Sequence, residues 1–62
     1  MTDLVEKLMD DLMTVDRIDP ERVRRLARKG HKPNKRRLDD YRQLAIQAMT
    51  TIRFHLEQDG EL

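Results

Sequence analysis

The chain has 62 residues, no cysteine, and 13 Lys and Arg against 12 Asp and Glu, for a formal net charge of +1. So short a chain makes a single domain over residues 1–62, and it buries only about 60% of the surface its unfolded form exposes, which leaves it marginal without staples or partners. The missing thiols exclude disulfides and thiolate metal sites. No run approaches the ~20 apolar residues of a membrane span, nothing resembles a signal peptide, and a cytoplasmic protein is the default expectation.

In chain order, the first apolar set is Leu4, Val5, Leu8, Met9, Leu12, Met13 and Val15, the i, i+3, i+4 series of an amphipathic helix over about residues 3–15. Thr2 suits the N-cap and Asp3 the positive end of the helix dipole. The apolar residues cover about half the circumference, more than one packing neighbour normally fills, so two neighbours are expected, with another chain open as the source of one of them.

The tripeptide Asp19-Pro20-Glu21 then signals a new helix, with Asp19 as cap, Pro20 at the first helical position and Glu21 in the first turn. This helix is expected over about 20–29, with Gly30 ending it. Only Val23, Leu26 and Ala27 are apolar, while Arg22, Arg24, Arg25, Arg28 and Lys29 form a basic arc, so the helix lies at the surface.

A turn through His31, Lys32 and Pro33 leads to a third helix, expected over about 35–58, with Asn34 as its N-cap and Gly60 as its stop. Its first positions would be Lys35, Arg36 and Arg37, cations at the end of a helix that already carries partial positive charge. A local rule broken without structural gain points to function, and a bound phosphate or carboxylate would relieve the repulsion. Leu38, Tyr41, Leu44, Ala45, Ala48, Met49, Ile52 and Leu56 form one apolar face, whereas Phe54 falls on the polar side among Gln43, Gln47 and Thr50. The pattern specifies an all-α fold of three helices, the long third packed antiparallel on the first, with apolar area left over for self-association as a homodimer.

Charge is strongly polarised behind the neutral total. Residues 1–16 carry −4, residues 17–37 carry +8 and residues 38–62 carry −3, with nine of the 13 cations between Arg22 and Arg37. Chemistry has little to work with: the two His are far apart, no ligand motif for a metal occurs, Ser is absent and the adjacent Asp pairs diverge by about 100° on their helices. No enzyme, cofactor or metal is expected.

Binding remains. The nominated residues are Arg22, Arg24, Arg25, Arg28, Lys29, Lys32, Asn34, Lys35, Arg36 and Arg37, with Phe54 as a hydrophobic contact. The expected function is that of a small regulatory or adaptor protein that docks on a protein partner with an acidic surface. The alternative is a dimeric DNA-binding regulator, because a short helix, a Gly-containing turn and a helix with a basic first turn share the outline of a helix-turn-helix. Against it stand a long turn containing Pro33, few apolar residues to anchor the second helix, and no aromatic platform for stacking. The cluster's other fate is internal, paired with the acidic helices or solvated.

Overall fold

Apolar residues at helical spacing and two well-marked caps produce three helices in the computed structural model, which describes residues 3–58: α1 (Asp3–Val15), α2 (Pro20–Arg28) and α3 (Lys32–Gln58). The expected cap Thr2 and stop Gly60 lie outside the described residues. No strand occurs among them.

The core is small and sits where all three helices meet. Met9 and Met13 of α1, Val23 of α2 and Ala45 of α3 are buried together, with Val5, Leu8, Leu12, Ile18, Leu38 and Tyr41 packed around them. Two unbranched Met side chains at 0% exposure suit this junction, because they bend to fill an irregular gap that a β-branched residue would leave open. Ala45 presents almost no side chain, which lets the helices approach closely at the crossing.

α1 and α2 pack mainly on α3 and touch each other little. The Tyr41 hydroxyl donates to Asp16 at one end of α1, and Arg42 pairs with Glu6 near the other at 3.1 Å. Glu6 and Asp16 are about 15 Å apart along α1, yet their partners are neighbours on α3. Thus α1 straddles the middle of α3. Every residue from 50 to 58 is exposed, so the last nine residues of α3 project as an unsupported overhang.

Helix ends show why the chain turns where it does. Asp19 accepts a hydrogen bond from the Glu21 N–H at 3.0 Å, with Pro20 at the first helical position as its fixed φ favours. α2 stops at Arg28, one residue before the expected end, and Gly30 adopts φ +93° while the Gly30 N–H bonds the Ala27 carbonyl and the His31 N–H bonds that of Leu26. This paired arrangement is a Schellman motif. The end of α1 repeats it: Arg17 N–H bonds Thr14 and Ile18 N–H bonds Met13, but here the left-handed residue is Arg17, at φ +64°. A side chain at that position costs roughly 1–2 kcal/mol relative to the ordinary right-handed conformation.

α3 starts three residues earlier than expected. Pro33 lies inside its first turn, where the N–H it lacks would have no helical partner anyway, and the first helical bond runs from the Lys35 N–H to the His31 carbonyl at 3.1 Å. Asn34 is therefore not the cap. It is buried within the first turn, its amide nitrogen 2.9 Å from His31 Nδ1, so the residue just outside the helix and the third residue inside it are joined side chain to side chain.

These turns give a first prediction. Arg17→Gly raises stability by about 0.5–1 kcal/mol, because only glycine takes this backbone freely, and Gly30→Ala lowers it by a similar amount although nothing crowds the site. Urea midpoints of the two variants against the parent chain check both signs.

Candidate docking site at the basic end

Of the nine cations between Arg22 and Arg37, one turns inward. Arg24, on the side of α2 next to α1, places Nη1 2.7 Å from Glu6 and Nε and Nη2 at 3.0 and 2.8 Å from Asp10. Glu6 also receives Arg42, so two arginines from different helices share one carboxylate. Burial alone would push the Glu6 carboxyl up, but the hydrogen bonds and charges of Arg24 and Arg42 outweigh it and hold it below its ordinary value of 4.5. Arg24 shows the mirror image: burial disfavours its charge, and the bonds to Asp10 and Glu6 overcome that and raise its pKa. Arg24 is thus a bracket between helices, and with Asn34 it is one of two nominated residues already engaged within the fold.

The other eight, Arg22, Arg25, Arg28, Lys29, Lys32, Lys35, Arg36 and Arg37, are all exposed. None takes part in an ion pair among the described residues, whose pairs engage Arg24, Arg42 and Arg53 instead. The Schellman turn brings them together, since only Lys29, Gly30 and His31 separate α2 from α3. The cations therefore crowd one end of an elongated molecule of 46 × 19 × 18 Å.

Within that end lies a cleft of about 510 Å³. Arg17 from the α1–α2 turn, Arg22 from α2 and Arg37 from α3 line it, while Ile18, Val23 and Leu26 give it an apolar base. Asp19, His31 and Asn34 complete it. Tyr41 stands close by, with its hydroxyl pKa raised first by the bond to Asp16 and then by burial, against a lowering pull from Arg37. A second depression of about 510 Å³ lies over Lys32, Pro33 and Arg36. Sequence reasoning missed Arg17 and Ile18 as lining residues, for no residue type there marks a left-handed turn.

Phe54 is remote from the cleft yet aligned with part of the patch. It follows Arg36 by eighteen residues, about five turns, so both project from the same side of α3 some 27 Å apart. Phe54 is 54% exposed, and its ring meets that of the adjacent His55 edge-on at 5.7 Å. For metal chemistry the described residues offer no group of three candidate ligands. No helix among them is long and apolar enough to cross a membrane. No protein-family model, curated protein or solved structure matches the chain.

The Arg24 bracket carries the second prediction. A carboxyl held below 4.5 in the folded state contributes stability that is complete above the unfolded value and is lost as pH falls through the lowered folded one. Arg24→Met therefore lowers stability by about 1–2 kcal/mol near neutral pH, a modest figure because these side chains remain partly in water. Glu6→Gln flattens the acid limb. Denaturation across pH 3–7 for both singles and the double variant should show a double-mutant coupling that fades as Glu6 protonates.

Proposed function

We propose that this chain is a non-enzymatic adaptor or regulatory protein of the cytoplasm, working as a homodimer, whose basic end binds a protein partner with an acidic surface. The observation that supports this reading is the cleft at the basic end, where two of the eight free cations, Arg22 and Arg37, stand with Arg17 beside the apolar Ile18, Val23 and Leu26. An acidic peptide segment carrying an aliphatic side chain would satisfy both features, with carboxylates on Arg17, Arg22 and Arg37 and the aliphatic group over Ile18 and Leu26. The phosphate backbone of a duplex would use the cations and leave the apolar base unfilled. Asp39 and Asp40, both exposed one turn beyond the basic start of α3, also oppose a polyanion laid along that helix. A protein partner can answer them with cations of its own and continue along the outer side of α3 from Arg36 to Phe54.

One observation favours the DNA-binding alternative. The connection between α2 and α3 is three residues long, with Pro33 inside the helix, and α2 is anchored by Arg24 as well as by Val23 and Ala27. Two sequence-based objections to a helix-turn-helix outline are thereby removed. In that reading Lys32, Lys35 and Arg36 approach phosphates and Arg25 and Arg28 flank them.

A photo-crosslinking residue at position 36, in cells that make the protein, separates the two. The expected product is a protein adduct that disappears when Arg22 and Arg37 are both changed to Ala and weakens at least severalfold with Phe54→Ala. Titration of random duplex DNA at about 50 and 200 mM salt runs beside it. A nucleic-acid adduct, or micromolar duplex binding that falls steeply with salt, transfers the function to DNA. Adducts indifferent to both arginines overturn the proposed site.

A further inference from the structure

The apolar stripe of α3 does not end where its cover ends. At about 100° per residue, Ile52 and Leu56 fall on the same line as the buried Ala45 and the partly buried Leu38 of the core, yet Ile52 is 59% and Leu56 49% exposed. α1 has a matching strip. Its acidic side, Glu6 and Asp10, faces Arg24 of α2, and the opposite side carries Leu4 at 60% and Val15 at 78% exposure beside the half-buried Leu8 and Leu12. Both strips continue directly from the core.

We propose that these strips, the overhang of α3 and the outer side of α1, form the interface with a second copy of this chain. The inference takes from the proposed function only that the protein works in pairs, and it gives the basic end no part. Area supports it. The accessible surface of 5331 Å² exceeds by about 1,100 Å² the roughly 4,200 Å² of a compact monomer of 7.4 kDa. A standard interface covers about 800 Å² on each partner. The Cα radius of gyration, 13.9 Å, likewise exceeds the ~10.6 Å of a compact domain this long. Pairing through the overhang converts that elongation into a two-fold assembly.

Charge supplies the orientation. The charged side chains of the described overhang are Arg53 and Glu57, on one side of the stripe, 3.4 Å apart and both well exposed. When two overhangs run antiparallel, Ile52 of each meets Leu56 of the other, and Arg53 of each meets Glu57 of the other. The pattern is self-complementary, as a two-fold axis requires. Phe54 projects from the opposite side of the helix and stays outside the interface, free for another partner.

The test is mass in solution by sedimentation equilibrium from about 5 to 200 µM, spanning the micromolar range where such an interface dissociates. The parent chain should sediment at twice its 7.4 kDa. Ile52→Glu with Leu56→Glu, and separately Leu4→Glu with Val15→Glu, should raise the dissociation constant at least tenfold. Should either pair lose helix content by circular dichroism, the charge exchange decides: Arg53→Glu sets like charges face to face and weakens the dimer severalfold, and adding Glu57→Arg restores it. Phe54→Ala and Arg28→Ala with Arg36→Ala should leave the mass unchanged, so a failed partner assay and a failed dimer are read independently. A parent chain that stays monomeric to 200 µM, or a dimer indifferent to the charge exchange, overturns the proposal.

Discussion

Arg24 is the interaction on which the arrangement of helices depends. α1 and α2 each find their cover on α3 and share little contact with one another, so apolar packing alone leaves the angle between them weakly fixed. A planar guanidinium held by two carboxylates one turn apart on α1 removes that freedom, because its donors lie in a fixed fork. Arg42 approaches Glu6 from α3 and closes the triangle. With Met9, Met13, Val23, Ala27 and Ala45 as the buried hydrophobic residues among those described, two of them alanines, directional polar contacts matter more here than in a larger core.

The helices were legible because their signals are local. A 3.6-residue apolar period marks α1 and the body of α3, and Asp19-Pro20 and Gly30 mark the ends of α2. The start of α3 was not, since Pro33 and Asn34 each fit two positions: the proline can precede a helix or sit in its first turn, and the asparagine can cap from outside or be buried within. The Schellman turn at Gly30 settles that choice by delivering the chain to His31 ready to begin the helix. The overhang was hidden for a related reason. Periodicity reports which residues share a side of a helix, not how far a crossing neighbour reaches along it.

The candidate docking site was half legible. Composition locates the basic cluster, but a run of arginines does not say which one turns inward, and Arg24 was indistinguishable from Arg25 until α1 was placed beside it. The division follows from angle alone: on α2, Arg24 falls about 100° to one side of Val23 and Arg22 about 100° to the other, so one meets the acids of α1 while the other opens on the cleft. Arg17 was missed for a different reason. Its backbone is set by the end of α1, and nothing in its side chain requires the left-handed conformation.

That end of the molecule gathers several features that work against folding. Eight exposed cations crowd α2, the turn after it and the start of α3, the first turn of α3 contains no acidic residue, and the strained Arg17 lines the cleft there. Acids were at hand, for Asp11, Asp39 and Asp40 are all exposed, and Asp39 pairs among the described residues with Arg42 alone, at 3.8 Å. A sequence selected for stability alone would have spread the cations among these acids and placed glycine at position 17. Unpaired like charge lowers the stability of the free chain and strengthens its attraction for an anionic surface, so the same residues that weaken the fold would supply the energy of the proposed docking.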